Sequence, residues 1–234
     1  MKIENLEDLQ DKIDKDLAWR KKELTSIKSD VQMSNTKERS EQSRAIRAGI
    51  TLLYAHWEGA IKNISEYYLI YVSSLKLKYS ELKNNFLAIA IKSSLDEFEE
   101  TNKATVHNKL IEYIYSKKDE ESRIPCKNII KTKSNLNSKI LDEIMALIGV
   151  DSSEYMLKNA IIDQRLLGNR NKIAHGERIE QLEGISNIDD YLELHNIIVS
   201  LINEFGEDIK KYAIEEKYKA WKNIIYKRYR FYYI

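Results

Sequence analysis

Apolar residues recur at three-, four- and seven-residue intervals over most of the chain, the period of helices rather than strands. Residues 3–31 place Ile3, Leu6, Leu9, Ile13, Leu17, Leu24, Ile27 and Val31 on one stripe, with charged residues at most positions between. They predict an amphipathic helix of heptad character that needs a partner surface. The polar stretch Ser34 to Ser43 reads as a loop or a frayed helix end. A second long helix starts near Lys37 or Gln42 and runs to Ser73, with Ile46, Ile50, Leu53, Trp57, Ile61, Ile64 and Tyr68 as its apolar stripe. A separate line on it holds Arg47, Thr51, Ala55, Glu58 and Lys62. Gly59 in mid-helix costs about 1 kcal/mol relative to alanine, and a close helix–helix approach is the usual compensation.

Further along, Asn85 to Phe98 and Lys103 to Tyr115 read as helices, and SKKDEESRIPCK (116–127) as a loop. Asn137 to Ile148 predicts a helix ended by Gly149, with Asp151, Ser152 and Ser153 as N-cap candidates for the next. That helix is expected over Ser153 to Ala174, burying Met156, Leu157, Ala160, Ile161, Leu167 and Ile173, with Gly176 as its C′ residue. Ile188 to Ile214 forms another, with Leu192, Ile198, Leu201, Ile202 and Phe205 apolar. No internal repeat or low-complexity linker interrupts the chain. The expected organisation is one all-α domain over 1–234: an N-terminal amphipathic helix (1–34), a bundle core (37–215) and a basic, aromatic C-terminal extension (216–234).

Composition sharpens this. Only 7 glycines and 1 proline occur in 234 residues, too few for a protein built on hairpins. A formal net charge of +1 supplies no global field toward nucleic acid, so any basic site must be local. The single Cys126 leaves no internal disulfide and fits a reducing compartment. MKIENLEDLQ lacks the apolar region of a signal peptide, and the longest apolar run, Leu87 to Ile91, is far too short to span a bilayer. A cytoplasmic protein without membrane contact is expected.

Candidate chemistry concentrates in LLGNRNKIAHGE (166–177). Imidazole is the side chain that changes charge near neutrality, and His175 falls in a last helical turn, where the helix end favours a cation. Arg170 offers a planar fork that matches phosphate oxygens. Five residues on an ideal helix separate the two by about 140°, so they share no face. They converge only if the helix unwinds at Gly176 or a second copy supplies the opposite half. The plainer reading is that both simply complement the helix dipole and cap carbonyls.

RNKIAHG resembles the signature of the HEPN superfamily: an arginine (Arg170), a polar residue (Asn171) and a histidine (His175). LLYAHWEGAIK (52–62) and SNLNSKILDEI (134–144) resemble a bacterial, MAE-like branch of short stand-alone HEPN proteins found near conflict and defence genes. The likeness runs in order from about residue 40 to 215. It implies a helical bundle that dimerises and brings two Arg–His pairs into one cleft. It further implies a metal-independent ribonuclease in which the RNA 2′-hydroxyl attacks the adjacent phosphate. His175 would be general base or acid, Arg170 would stabilise charge on the phosphorane oxygens, and Asn171 would orient the pair or bind the phosphate. No metal or cofactor is called for, and no His/Asp/Glu set has ligand spacing. RNA, a second copy, and an antitoxin or defence-system protein are the implied partners.

Other residues carry two readings each. Glu58 either orients Arg170 through a salt bridge or pairs with Arg47 or Lys62. His56 reads as a core or interface histidine beside a core Trp57, and His107 and His195 as surface or helix-face residues. Arg165 and Lys172 could reach RNA phosphate, although Arg165 reads more simply as solvated. The tail KYKAWKNIIYKRYRFYYI (217–234) interleaves aromatics with Lys222, Lys227, Arg228 and Arg230, as in strand-binding surfaces. Trp221, Ile224 and Ile225 at helical spacing favour docking on the bundle or a partner subunit. Two rivals to the nuclease reading are a non-catalytic module gripping nucleotide, RNA or protein, and an oligomerisation protein driven by the N-terminal heptads.

Overall fold

The computed structural model describes residues 2–99 and 103–220. The Asn5 side chain accepts the Asp8 N–H at 2.9 Å and starts α1, Leu6–Met33. A 3₁₀ turn at Ser34–Thr36 reverses the chain, and α2, Arg39–Ser74, returns along α1. Then come α3 (Asn84–Glu99), α4 (Ala104–Lys118) and α5 (Ser138–Ile148), the last capped by Asn137 and ended by left-handed Gly149. α6 (Ser153–Met156) and α7 (Asn169–Ala174) flank a π-helical stretch, Ile161–Gly168. α8 (Ile188–Ile214) closes the bundle from an Asn187/Asp190 capping box. The all-α architecture holds: among the described residues, β pairing is confined to isolated bridges, Lys78 with Glu121 and Leu82 with Lys219.

The core is a three-helix layer of α1, α2 and α8, into which the whole predicted apolar stripe of α2 is buried. A glycine sits at each pairing of these helices, and a side chain of the partner helix fills the space above it. A Cβ on Gly49 would lie 2.8 Å from the fully buried Tyr191 ring, and one on Gly206 2.7 Å from Leu17. At Gly59 the space is taken by a guanidinium: Arg20 Nη1 would be 2.9 Å from an added Cβ. The predicted close approach is therefore real, and the intruder is polar. Arg20 Nε meets Asp16 Oδ2 at 2.6 Å, and Nη1 donates to the His56 carbonyl at 3.2 Å. Their side chains are only 4% and 7% exposed. Removing one partner of such a buried pair costs about 3–5 kcal/mol.

The segment 153–174 is not the single helix that spacing predicts. The chain turns after Met156, then makes a π-helical stretch before α7. The break at 157–158 resets the helical phase and the π stretch shifts it again, so one 3.6-residue period carried through 153–174 assigns the wrong side chains inward. Met156 and Leu157, expected in the core, are 57% and 87% exposed, and Ala160 is exposed too. Leu167 is buried as expected, and Tyr155, Ile162 and Leu166 face inward in place of the others.

His195, read as a surface or helix-face residue, is on the inner face of α8 at 4% exposure, with Nε2 3.0 Å from the Leu24 carbonyl. Residues 217–220 lie against the bundle without forming helix: Tyr218 is buried edge-on against Tyr71, and Lys219 bridges Leu82. Trp221, Ile224 and Ile225 lie outside the described residues. No described helix is long and apolar enough to cross a membrane.

Gly49→Ala tests the α2–α8 crossing. Overpacking costs about 1–3 kcal/mol, more than the roughly 1 kcal/mol gained in helix propensity. Urea unfolding should show a lower midpoint, and an unchanged midpoint would mean the Tyr191 ring has room to move.

Candidate active site

Everything that positions Arg170 is set by the turns on either side of it. The π stretch ends at Gly168, and Asn169, fully buried, begins α7. The Asn169 amide donates to the Arg165 and Glu183 carbonyls at 2.9 and 2.8 Å, and its oxygen accepts the Glu183 N–H at 2.6 Å. These bonds tie the 177–187 loop to the helix. At the far end, Gly176 N–H bonds the Ile173 carbonyl and Glu177 N–H the Lys172 carbonyl, both at 3.0 Å, with Gly176 at φ 84°. That is a complete Schellman stop, as the glycine predicted. His175 is the C-cap.

Arg170 is immobilised by three contacts. Its guanidinium lies 4.4 Å from the centre of the Tyr54 ring, Nη1 donates to Asn171 Oδ1 at 2.8 Å, and Nη2 donates to the Ser134 carbonyl at 3.0 Å. Asn171 Nδ2 reaches Asn135 Oδ1 at 3.3 Å, and Lys172 Nζ donates to the Gln181 carbonyl at 2.8 Å. The His175 imidazole is exposed and makes no hydrogen bond to a described residue. The structure joins Arg170 to Asn171, and it makes no bond between Arg170 and His175.

Tyr54 is the link to the bundle. It is 1% exposed, and its hydroxyl accepts the Leu136 N–H at 2.7 Å. Burial pushes the phenol up to about 12; the Leu136 N–H opposes this, the Glu58 carboxylate adds to it, and the Arg170 charge opposes it. The ring is therefore neutral at physiological pH, a cation–π platform worth about 0.5–2 kcal/mol. Glu58 acts on Tyr54 and forms no ion pair with Arg170, Arg47 or Lys62. Arg47 stands two turns before Tyr54 on the same line of α2, half-buried, with its Nε buried and unbonded. A buried donor without a partner is unusual and marks a place where a ligand atom could complete the bonding.

The remaining candidates are structural or lie elsewhere. Arg165 is neither solvated nor free: Nη2 meets Glu193 at 2.9 Å and also the Gly184 and Asp190 carbonyls. His56 is buried, 3.3 Å from Glu23 and beside Trp19; burial lowers its pKa, and Glu23 opposes this. His107 is exposed on α4. Lys222, Lys227, Arg228 and Arg230 lie outside the described residues. Among the described residues, no group of three or more His, Cys, Asp or Glu could hold a metal ion. Sequence reasoning passed over Tyr54 and Asn169. Tyr54 was open to view, since Arg47, Tyr54 and Glu58 follow a seven- and four-residue spacing.

A family model described as RiboL-PSP-HEPN matches residues 15–211. The chain belongs to the HEPN superfamily. The matched span of this HEPN chain runs from α1 to the last turn of α8 and contains Tyr54, Arg170 and His175. It names the RiboL-PSP group, not the MAE-like branch suggested by the quoted segments. No curated protein and no solved structure matches the chain.

Tyr54→Phe keeps the ring but leaves the Leu136 N–H without its acceptor. An unsatisfied buried donor costs about 1–3 kcal/mol, so the urea midpoint should fall accordingly. A variant as stable as the wild type would show that this hydroxyl does not hold the loop.

Proposed function

We propose that this HEPN protein is a metal-independent endoribonuclease, with Arg170, Asn171 and His175 as its catalytic residues. The observation that carries the reading is the pairing of a fixed cation with a free imidazole. Arg170 is held by Tyr54, Asn171 and Ser134, while His175 stands exposed at the end of the same short helix. A positioned guanidinium costs no reorganisation when charge builds on a phosphate, and an unbonded imidazole is able to move a proton. In the reaction, the 2′-hydroxyl oxygen attacks the adjacent phosphorus and loses its proton to one histidine. The bond from phosphorus to the 5′-oxygen breaks, and that oxygen takes a proton from a second histidine. The products are a 2′,3′-cyclic phosphate and a 5′-hydroxyl.

One chain supplies one such histidine, on a different face from Arg170, so the reading includes a homodimer with a composite cleft. The exposed strip of α2 beside Tyr54 supports this: Ala48, Thr51 and Ala55 are small, and Leu52 is 43% exposed. Arg47, on the same helix, is a further cation for the phosphate. A toxin–antitoxin or antiphage role fits an enzyme of this kind, with an antitoxin or defence protein as regulator. The rival is a non-catalytic HEPN module binding nucleotide, RNA or protein, favoured by the absence of an Arg170–His175 contact within one chain.

Arg170→Ala and His175→Ala should each leave helicity and dimer mass unchanged while lowering RNA cleavage by about 10²–10⁴. A 2′-deoxy nucleotide at the scissile position should abolish it. Wild-type protein that cuts no RNA across a broad panel, with or without chelator, rejects the enzyme. Separately, Leu52→Asp should give a folded monomer by light scattering with cleavage lost. A folded monomer of full activity would remove the composite cleft from the mechanism.

A further inference from the structure

Between Glu121 and Asp142 the chain carries Arg123, Lys127, Lys131, Lys133 and Lys139 and no carboxylate. In a protein of net charge +1 this is a concentrated positive strip. Its middle alternates: Ile130, Thr132 and Leu136 are buried, while Lys131, Lys133 and Asn135 are exposed. Lys131 and Lys133, with Lys92 of α3, line a groove of about 680 Å³ between α3 and α5. None of the three enters an ion pair with a described residue.

The groove wall is aliphatic, with Ile89, Ile140, Ile144 and Leu147, while Asn128 and Glu143 add polar groups. This volume lies in the range of small-molecule sites, about 300–1,000 Å³. Apolar faces with a few polar groups suit a flat base, and three ammonium groups against the single Glu143 carboxylate leave a net positive charge for the phosphates on either side of it.

The same loop builds both this groove and the candidate active site. Lys133 lines the groove, and the next residue, Ser134, accepts the Arg170 guanidinium. Asn135 touches Asn171, and Leu136 touches Tyr54. Three non-glycine residues here hold left-handed backbone: Asn128 (φ 60°), Lys133 (φ 55°) and Ser134 (φ 51°). Such conformations persist only where surroundings impose them, and they cluster at functional sites.

We propose that the groove is a nucleotide subsite for single-stranded RNA. One base lies between α3 and α5, and Lys131 and Lys133 hold the backbone that leads to Arg170. This rests on the nuclease reading for its orientation toward Arg170, but the binding it asserts is measurable without cleavage. The probe is a fluorescent single-stranded RNA decamer, titrated into full-length His175→Ala protein by anisotropy at several salt concentrations. Adding Lys131→Glu and Lys133→Glu should weaken binding about 10-fold and lower the salt slope by about 1.4, the value for two phosphate contacts on single strands. Ala146 is exposed on α5 at the groove, so Ala146→Trp should fill it and weaken binding about 5-fold or more, with little change in slope.

Lys21→Glu with Lys22→Glu, the same charge change on exposed positions of α1, should leave affinity nearly unchanged. Equal weakening by that control overturns the subsite, as does a decamer that binds all variants alike or none. If wild type cuts RNA while the groove variants bind normally, only the subsite fails. If the groove variants lose binding but no variant or wild type cuts RNA, the subsite stands and the nuclease reading fails.

Discussion

α2 is packed by α1, α5, α7 and α8 around much of its circumference, so only a narrow strip of it meets water. Burying a polar group without a partner is costly, so charged side chains on a helix so enclosed are favoured on that strip or at its margins. Arg47, Thr51, Tyr54 and Glu58 fall along it, and α7 is laid beside them. The position of the site follows from this constraint. Arg170 meets Tyr54 where α7 is packed against α2. Asp16 and Arg20, which do enter the interior, bond each other and the His56 carbonyl, whereas Ser65 Oγ and Tyr68 Oη are buried without a partner.

Rigidity is distributed unevenly across the site. Asn169 and the Schellman stop fix α7 at both ends, and Tyr54, Asn171 and Ser134 fix the guanidinium between them. Of Arg170, Asn171 and His175, His175 alone makes no side-chain hydrogen bond to a described residue. A fixed electrostatic group beside a movable proton carrier is a useful division for phosphate chemistry, since the first must not reorganise and the second must reach more than one oxygen. The loop 128–136 belongs to the rigid part, although it has no regular secondary structure.

Much of this was legible in residue order. Helix α8 starts and stops where its periodicity places it, and Gly149 and Gly176 end their helices in the left-handed conformation. Spacing failed over 153–174, where the short α6 ends at a turn over 157–158 before the π stretch begins; a single helical phase carried across that break misassigned Met156 and Leu157. Tyr54 failed differently: a buried tyrosine on an apolar helix looks like packing until its ring is seen under a guanidinium. The tie from Ser134 to Arg170 spans 36 residues, a separation at which periodicity says nothing. Arg170, Asn171 and His175 could be named from their motif, but their surroundings could not.

Helix α8 supplies one side of the three-helix core, yet it is the last described helix in the chain. During synthesis every residue of the candidate site has been made by His175, while the scaffold that seats α2 waits for Ile214. At ordinary translation speeds, about 5–20 residues per second, that gap is on the order of a few seconds. Through it the nascent chain holds the motif without a folded frame, and the apolar faces of α1 and α2 stay uncovered. A ribosome-bound chain thus carries the whole RNKIAHG motif before the helix that completes the core beneath it has been made.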